Sequence, residues 1–263
     1  MIQFLKILST ILITQYNITA FDIDTQLNIY TVSKDNNLII KYSSNEDSLF
    51  SVGGFGSSEN SFDKPVSITI NSLNDIFICD YNNNRVQRFN KSLNFIKSIY
   101  LREDPIESHR FGYPLNVAVS RAGNLYILDG ENKRIIVTTP FGEWLNTYLG
   151  TISKIKLLNP KLIKLDLNDN IYVLDNNKII MLNPFGAYVK DIVIPDSFVV
   201  ESFSILDNKL VAISDNFIYI YDLEYSSKIG LISLEKGGSD IKIVNDNYIA
   251  ISSTNKIFSY NIN

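Results

Sequence analysis

The chain has 263 residues, of which 45% are hydrophobic and 20% charged, a balance typical of a folded globular protein and unlike that of a disordered or fibrous chain. Its formal net charge of −4 offers no overall attraction to nucleic acid or anionic lipid, and its single cysteine, Cys79, excludes an intramolecular disulfide and a cysteine-rich zinc site. No stretch reaches the ~18–20 consecutive apolar residues that a membrane-spanning helix requires.

The first segment, residues 3–10 (QFLKILST), is open to two interpretations. One lysine before a short apolar run is typical of an export signal, whose expected cleavage follows residues 18–20. The segment also resembles strands later in the chain, because an aromatic residue, an aliphatic residue and a lysine follow one another at 4–6, as they do at 95–97 and 188–190. We favour a strand, because the last repeat of the chain has no fourth strand of its own and natural sheets avoid open edges.

Six copies of a strand-turn-strand pattern follow in chain order. Each consists of an alternating apolar run, a polar turn rich in Asn, Asp or Gly, and a second apolar run, which predicts two antiparallel strands joined by a hairpin. Three of the copies keep one separation between a proline and an aspartate. The copies are 18–33, 65–80, 114–129, 160–175, 202–215 and 240–253.

Each copy is followed by a third apolar run and most by a fourth, so the repeating unit is four strands, recurring at about 38 to 49 residues, the period of propeller blades. The apolar runs are short and rich in β-branched and aromatic residues. Asn, Asp, Gly and Pro separate them at intervals that leave no room for helices of ~10 residues. The sequence therefore predicts an all-β fold, a six-bladed β-propeller of four-stranded antiparallel blades. We expect one domain over residues 1–263, with blades starting near 18, 65, 114, 160, 202 and 240 and residues 3–10 completing the last blade.

The stretch at 53–90 resembles an NHL repeat. The residues that carry this resemblance are Phe62, Pro65, Asp80, Asn84, Arg85, Gln87 and Phe89. The copies at 111–138 and 160–182 keep part of the pattern, and outside 53–190 the resemblance is to a generic six-bladed propeller. It implies a non-catalytic binding platform for proteins or RNA, although a minority of similar propellers are lyases or lactonases.

An aspartate and an arginine recur five residues apart across the turn between the second and third strands, as Asp80 with Arg85 and as Asp129 with Arg134. The third copy has Asp175 and places Lys178 where the arginine would be. Because the pattern repeats at equivalent positions, we interpret these as structural turn pairs, in which the carboxylate accepts turn amides and pairs with the arginine. Catalysis by these carboxylates is the less favoured alternative.

Histidine chemistry is nearly excluded, because His109 is the single histidine. The lyases that resemble NHL proteins need several histidines around zinc, and that site cannot be assembled here. A Ser-His-Asp site would have to use His109, and no G-x-S-x-G motif is present. We therefore expect no catalytic residues and no cofactor.

A calcium ion in the central channel, as in lactonase-like propellers, is a separate alternative. Alignment of the inner strands places one layer of side chains around the channel: Asp22, Thr69, Ala118, Lys164, Ser204 and Lys242. Two lysines against one aspartate favour a water-filled channel over a cation site. A lower layer remains a candidate ion site, although its residue types are those that hairpin turns favour: Asp24, Asn71, Ser120 and Asp166.

Recognition is expected on the rim where the loops between blades and the turns between second and third strands emerge. The longest loop there is 101–113. The candidate binding residues are Tyr81, Asn82, Arg102, His109, Arg110 and Tyr113. The mixed charge of this loop favours a protein partner over RNA, which would require a basic face with aromatic platforms. A solvated surface with no partner is an equal alternative.

These observations predict a monomeric, non-catalytic scaffold with a protein partner. The alternatives are an RNA-binding NHL domain and a metal-dependent, lactonase-like hydrolase. The compartment stays open: we expect the cytoplasm if the chain is complete, and export to the periplasm or the extracellular space if Met1 is a misplaced start.

Overall fold

The structure is a computed structural model. It describes residues 3–5, 7–43, 49–150, 153–194, 199–214, 216–234, 237–245 and 248–261, of which 3–5, 7–13 and 49 are described by their backbone alone. These residues form β-strands and one short 3-10 helix, Glu107–His109. Within these ranges no helix combines the length and the apolar character needed to cross a membrane.

The strands form six antiparallel blades, whose inner strands contact one another around a ring. Within a blade the strands are called inner, second, third and outer in chain order. Blade 1 contains Ala20–Ile23, Ile29–Ser33, Leu38–Tyr42 and Leu49–Gly53. Blade 2 contains Pro65–Ile70, Ile76–Asp80, Arg85–Phe89 and Phe95–Ile99. Blade 3 contains Pro114–Val119, Leu125–Asp129, Arg134–Thr138 and Trp144–Tyr148.

The second half of the ring repeats this arrangement. Blade 4 contains Pro160–Leu165, Ile171–Asp175, Lys178–Leu182 and Tyr188–Val193. Blade 5 contains Ser202–Leu206, Lys209–Ser214, Phe217–Asp222 and Ser227–Leu234. Blade 6 contains Asp240–Asn245, Tyr248–Ser253 and Lys256–Asn261, beside which lies Ile7–Ile13. The all-β, six-bladed fold with four-stranded antiparallel blades is therefore confirmed.

The first residues of the chain lie beside two different blades. Ile7–Ile13 runs antiparallel to Lys256–Asn261 of blade 6. Gln3–Leu5 instead runs parallel to the outer strand of blade 5, with Phe4 opposite Ser233. The segment expected as one closing strand is thus divided between two sheets, because an exposed strand edge accepts a parallel or an antiparallel neighbour and local sequence does not select between them. That the ring depends on this segment for closure stays a prediction.

The hairpins between inner and second strands follow from their residue types. The last residue of each of four turns has a positive φ, as this hairpin geometry requires: Leu27 (63°), Asn74 (62°), Gly123 (85°) and Asp169 (60°). Asparagine, aspartate and glycine adopt this conformation most readily, so three of the four turns use a favoured residue. These turns form one edge of the ring, called the lower rim.

The core lies between adjacent blades. The second strands of blades 1 to 4 are buried at every residue, since neighbouring sheets cover both of their faces. Three side chains that precede inner strands, Phe62, Phe111 and Leu157, are 0%, 0% and 4% exposed, and each packs in a cluster drawn from two blades. Burial of each contributes roughly 1.5–3 kcal/mol to the packing of neighbouring blades.

Side chains of the inner strands also bond to the backbone of the next blade. Among the residues described, such a bond crosses five of the six junctions, always from one blade to the following one. The bonds join Asp22 Oδ2 to Ile70 N (2.9 Å), Thr69 Oγ1 to Val117 O (2.6 Å), Asn116 Oδ1 to Ile163 N (3.1 Å), Ser204 Oγ to Ile243 N (3.0 Å) and Asp240 Oδ2 to Phe21 N (3.2 Å). The ring is therefore linked by polar bonds as well as by its apolar core.

Candidate functional site

The upper rim is the edge of the ring formed by the loops between blades and by the turns between second and third strands. Its longest loop, 101–113, leads from blade 2 to blade 3 and contains the 3-10 helix Glu107–His109. Asp104 begins this turn, because its Oδ1 accepts the amide of Ile106 at 2.8 Å. Arg110 then closes the loop by donating from Nε to the carbonyl of Asp104 at 2.6 Å. The loop is thus held by its own polar groups.

His109 has both a charged and an aromatic neighbour. Its Nδ1 lies 3.3 Å from Asp104 Oδ1, and its ring stacks on Trp144, with centroids 3.8 Å apart and planes inclined by 12°. Trp144 Nε1 in turn donates to Thr147 Oγ1 at 3.1 Å. The sequence reasoning missed Trp144, although it is the single tryptophan of the chain and opens the outer strand of blade 3.

The two tyrosines expected on the rim lie together. Tyr81 and Tyr113 have ring centroids 5.2 Å apart, and the Lys64 ammonium lies 4.7 Å from the centroid of Tyr81. The backbone amide of Tyr113 donates to Asn84 Oδ1 at 2.9 Å, which fixes the start of blade 3 against the turn of blade 2. Asn82 is exposed beside them and donates from Nδ2 to Asp63 Oδ1 at 2.8 Å.

Arg102 makes a two-bond ion pair across the rim. Its Nη1 and Nη2 lie 2.7 and 3.2 Å from the two carboxylate oxygens of Glu131. The pair is exposed, with side-chain exposures of 40% and 38%. Glu131 was not among the predicted binding residues, although it lies in the turn opposite Arg102. A groove of about 620 Å³ beside this pair has a mixed lining of Arg102, Glu107, Ser108, Arg110, Glu131, Asn132 and Arg134.

A buried ion pair anchors the blade 2 side of the rim. The Asp80 carboxylate is fully buried and accepts Arg85 Nε at 2.7 Å, Asn83 Nδ2 at 2.9 Å and the amide of Asp63 at 2.8 Å. Burial raises the pKa of Asp80, and these bonds oppose the rise. The remaining Arg85 nitrogens donate to the carbonyls of Ser57, Ser58 and Ser61, so this pair holds the glycine-rich loop that precedes blade 2.

The equivalent pair in blade 3 reaches the candidate binding loop directly. Asp129 is fully buried and accepts Arg134 Nε at 3.1 Å, together with the amide of Gly112 at 3.2 Å. Arg134 Nη2 donates to the carbonyl of Arg110 at 2.7 Å. Residues 110 and 112 of this loop are therefore bonded to one carboxylate-guanidinium unit, which positions Arg110.

The third turn aspartate has no arginine. Asp175 is buried and accepts the amides of Leu158 and Asn159, at 3.0 and 2.6 Å. Lys178, at the position expected to replace the arginine, instead pairs with Asp191 at 2.7 Å. Because Lys178 bonds to Asp191 of the outer strand, it does not reach Asp175. Blade 4 therefore keeps the bonds between carboxylate and backbone amides but lacks the guanidinium that pairs with the aspartate in blades 2 and 3.

The central channel contains an ion pair of its own. Lys242 Nζ lies 2.6 Å from Asp22 Oδ1, which joins the inner strands of blades 6 and 1. Thr69 and Ser204, in the same layer, bond to neighbouring backbones as described above. Lys164 belongs to this layer as well, and burial lowers the pKa of its ammonium.

The candidate ion ligands of the lower layer serve their own hairpins. Asp24 accepts the amides of Gln26 and Asn28, and Asp166 those of Asn168 and Asn170, all at 2.8–2.9 Å. The remaining oxygens, Oδ2 of Asp24 and of Asp166, accept an asparagine amide and a tyrosine hydroxyl within the same blade. Asn71 likewise accepts two amides of its own turn. Across the ranges described, no group of three His, Cys, Asp or Glu side chains is suited to hold a metal ion.

Comparison with known proteins identifies one repeat and the fold. A family model described as NHL repeat matches residues 62–89. Protein brain tumor of Drosophila melanogaster is 28% identical over 125 residues, which are 47% of this chain but 12% of that protein. The chain thus aligns with a small part of this relative.

Solved structures extend the similarity over nearly the whole chain. A streptogramin B lyase superimposes with a TM-score of 0.66 at 14% identity, covering 97% of this chain and 87% of that one. A catalytically inactive virginiamycin B lyase from Staphylococcus aureus with quinupristin gives 0.66 at 15%, covering 98% and 89%. At these identities the similarity shows a shared fold and carries no activity across.

Proposed function

Because residues 62–89 form an NHL repeat within a six-bladed β-propeller, we propose that the chain is a non-catalytic scaffold that binds a protein partner on its upper rim. The observation that carries the proposal is the contrast between a buried frame and an exposed, chemically mixed surface. Asp80 and Asp129 are 0% exposed and hold the loops from below. Loops on a rigid frame are where recognition usually resides.

The composition of the rim supports a protein partner over RNA. Aromatic and arginine side chains are enriched in protein interfaces, and the rim presents both: Tyr113 is 38% exposed and the Arg102 side chain 40%. Its arginines alternate with acidic groups, since Arg102 pairs with Glu131. A surface for RNA would instead need a continuous positive face to follow the phosphates.

Site-specific photocrosslinking tests this proposal. A photoreactive amino acid replaces Tyr113 on the upper rim or, as the control, Leu73 on the lower rim, which is 80% exposed. The full chain is irradiated in cells that express it naturally, and the products are treated with ribonuclease before separation. We expect a discrete, ribonuclease-resistant protein adduct from position 113 and none from position 73.

A charge exchange shows whether the adduct depends on the chemistry of the rim. Arg102→Glu combined with Glu131→Arg keeps the ion pair but reverses its orientation, so the fold is retained while the surface pattern changes. The adduct from position 113 should be lost. Equal adducts from both rims, survival of the adduct after the exchange, or its removal by ribonuclease would each contradict a protein-binding upper rim.

A further inference from the structure

A cavity of about 140 Å³ lies on the ring axis, at the mouth of the channel that opens on the upper rim. All six blades or their entry residues line it, including Thr19, Ser67, Asn116, Lys164, Ser202 and Asp240. At ~30 Å³ per water molecule in the liquid, it has room for about five waters or a small organic molecule.

Lys164 is one of two lysines that line this cavity, and it lacks a bonded partner among the described residues. Its neighbours are already engaged: Asp22 pairs with Lys242 at 2.6 Å, and Asp240 accepts Ser202 Oγ at 2.6 Å and the amides of Phe21 and Ile241. In the part of the chain that the structure describes, Lys164 makes no hydrogen bond and no ion pair. Lys164 is partly buried, and an ammonium that is partly withdrawn from water without acceptors is unfavourable unless another group provides them.

The fold does not account for this lysine. Asp22, Thr69 and Ser204, its counterparts in the same layer, each bond to the backbone of the following blade. Lys164 occupies the corresponding place at the junction of blades 4 and 5 without making such a bond. Burial lowers the pKa of its ammonium; the charges of Asp240 and Asp22 oppose this, and that of Lys242 adds to it.

The remaining lining defines the complementary ligand. The Ser67 hydroxyl is buried in the described structure without a nitrogen or oxygen partner, although it contacts the thiol of Cys79, and Lys161 adds a second cation at the mouth. Glu201 and Asp240 also line the cavity and would repel a multiply charged anion. We propose that the channel mouth binds a carboxylate group, which accepts hydrogen bonds from the Lys164 ammonium.

The carboxylate belongs either to a small free acid or to the end of a peptide, and the probes distinguish the two sources. Calorimetric titrations of the full chain use acetate and lactate as free acids, and N-acetylglycylglycine with a free or an amidated end as the peptide. Inorganic phosphate is the comparison anion. Since a hydrogen bond to a charged group contributes ~1.5–3 kcal/mol, Lys164→Met should weaken carboxylate binding roughly tenfold or more.

Two further variants complete the test. Lys97→Met removes an exposed lysine from the outer strand of blade 2 and should leave binding unchanged. Lys164→Gln keeps a long polar side chain without the charge, and it replaces Lys164→Met if that variant does not fold. We also expect the thermal midpoint of Lys164→Met to equal or exceed that of the parent, because the ammonium does not serve the fold.

Binding of either carboxylate source, lost with Lys164 and kept in Lys97→Met, supports the site. Several results would overturn it: no carboxylate binds, phosphate binds in their place, the amidated peptide binds as well as the free acid, or the Lys164 variants bind like the parent. The upper-rim proposal concerns different residues, and its photocrosslink from position 113 should persist in Lys164→Met. Failure of one proposal is therefore distinguishable from failure of the other.

Discussion

Replacement of Asp80 by alanine should be among the most damaging single changes at the upper rim. The side chains of Asp80 and Arg85 are 0% and 10% exposed, so loss of the carboxylate leaves a buried guanidinium without its counter-charge. Removal of one partner from a buried ion pair costs about 3–5 kcal/mol. Three carbonyls still accept bonds from Arg85, so we expect the lower part of that range, about 3–4 kcal/mol of unfolding free energy.

Two related substitutions separate the causes. Asp175→Ala removes acceptors from two backbone amides without stranding a cation, and it should cost about 1–3 kcal/mol. Arg102→Ala breaks a pair whose members are 40% and 38% exposed, and it should cost about 0–1 kcal/mol. The predicted order of destabilisation is therefore Asp80, then Asp175, then Arg102.

Urea unfolding at neutral pH measures these differences, followed in parallel by Trp144 fluorescence and by far-ultraviolet circular dichroism. Coincident transitions with equal slopes would permit comparison of the free energies. If Asp175→Ala destabilises as much as Asp80→Ala, the stranded guanidinium is not the main cause. If Asp80→Ala and Arg102→Ala lower the free energy of unfolding equally, burial of the Asp80–Arg85 pair does not determine the cost of breaking it.

Three further predictions concern other parts of the ring. Removal of residues 1–13 should expose the edge of blade 6, so light scattering should give a higher average molar mass for the truncated protein than for the parent at equal concentration. An equal number of chains per particle before and after truncation would contradict closure by this segment. Gly186→Ala should lower the urea midpoint well below that of Gly123→Ala. Both glycines have positive φ (79° and 85°), but a Cβ at position 186 would clash with the Tyr148 ring, whereas a Cβ at position 123 would face open space. Equal midpoints would show that the Tyr148 ring moves aside freely. Because burial lowers the pKa of Lys164 from its ordinary 10.5, the folded state binds fewer protons than the unfolded state between the lowered pKa and 10.5. Stability of the parent relative to Lys164→Met should therefore rise with pH across that interval, and a difference that is independent of pH would refute this.

The blades were predictable because their determinants are local. A hairpin turn, its two apolar strands and the Asp-to-Arg spacing all fall within a short stretch, so Pro65 and Asp80 identify a blade without knowledge of any other. The strand at Gln3–Leu5 was assigned wrongly to blade 6, because its partner Ser227–Leu234 is remote in the chain and its pattern also fits an antiparallel outer strand.

The site was predictable only in part. The rim loop 101–113 follows from blade order. The stacking of His109 on Trp144, however, joins the 3-10 helix of this loop to the outer strand of blade 3, and apolar periodicity does not encode it. Alignment of the inner strands predicted that Lys164 faces the channel, and Lys164 does line the cavity on the ring axis. Lys164 lacks a partner because Asp22 pairs with Lys242 and Asp240 accepts a bond from Ser202. These contacts join different blades, so they arise only in the assembled ring.

The bonds that pass from five of the six inner strands to the following blade, in the part of the chain that the structure describes, have a mechanical consequence. In an open array of repeats, unravelling starts at an end and proceeds one unit at a time. A closed ring of blades has no free end, and release of one blade requires the junctions on both of its sides to separate. Amide hydrogens around the axis should consequently exchange with similar protection from blade to blade, with the junction at Lys164 as the place where an opening would begin.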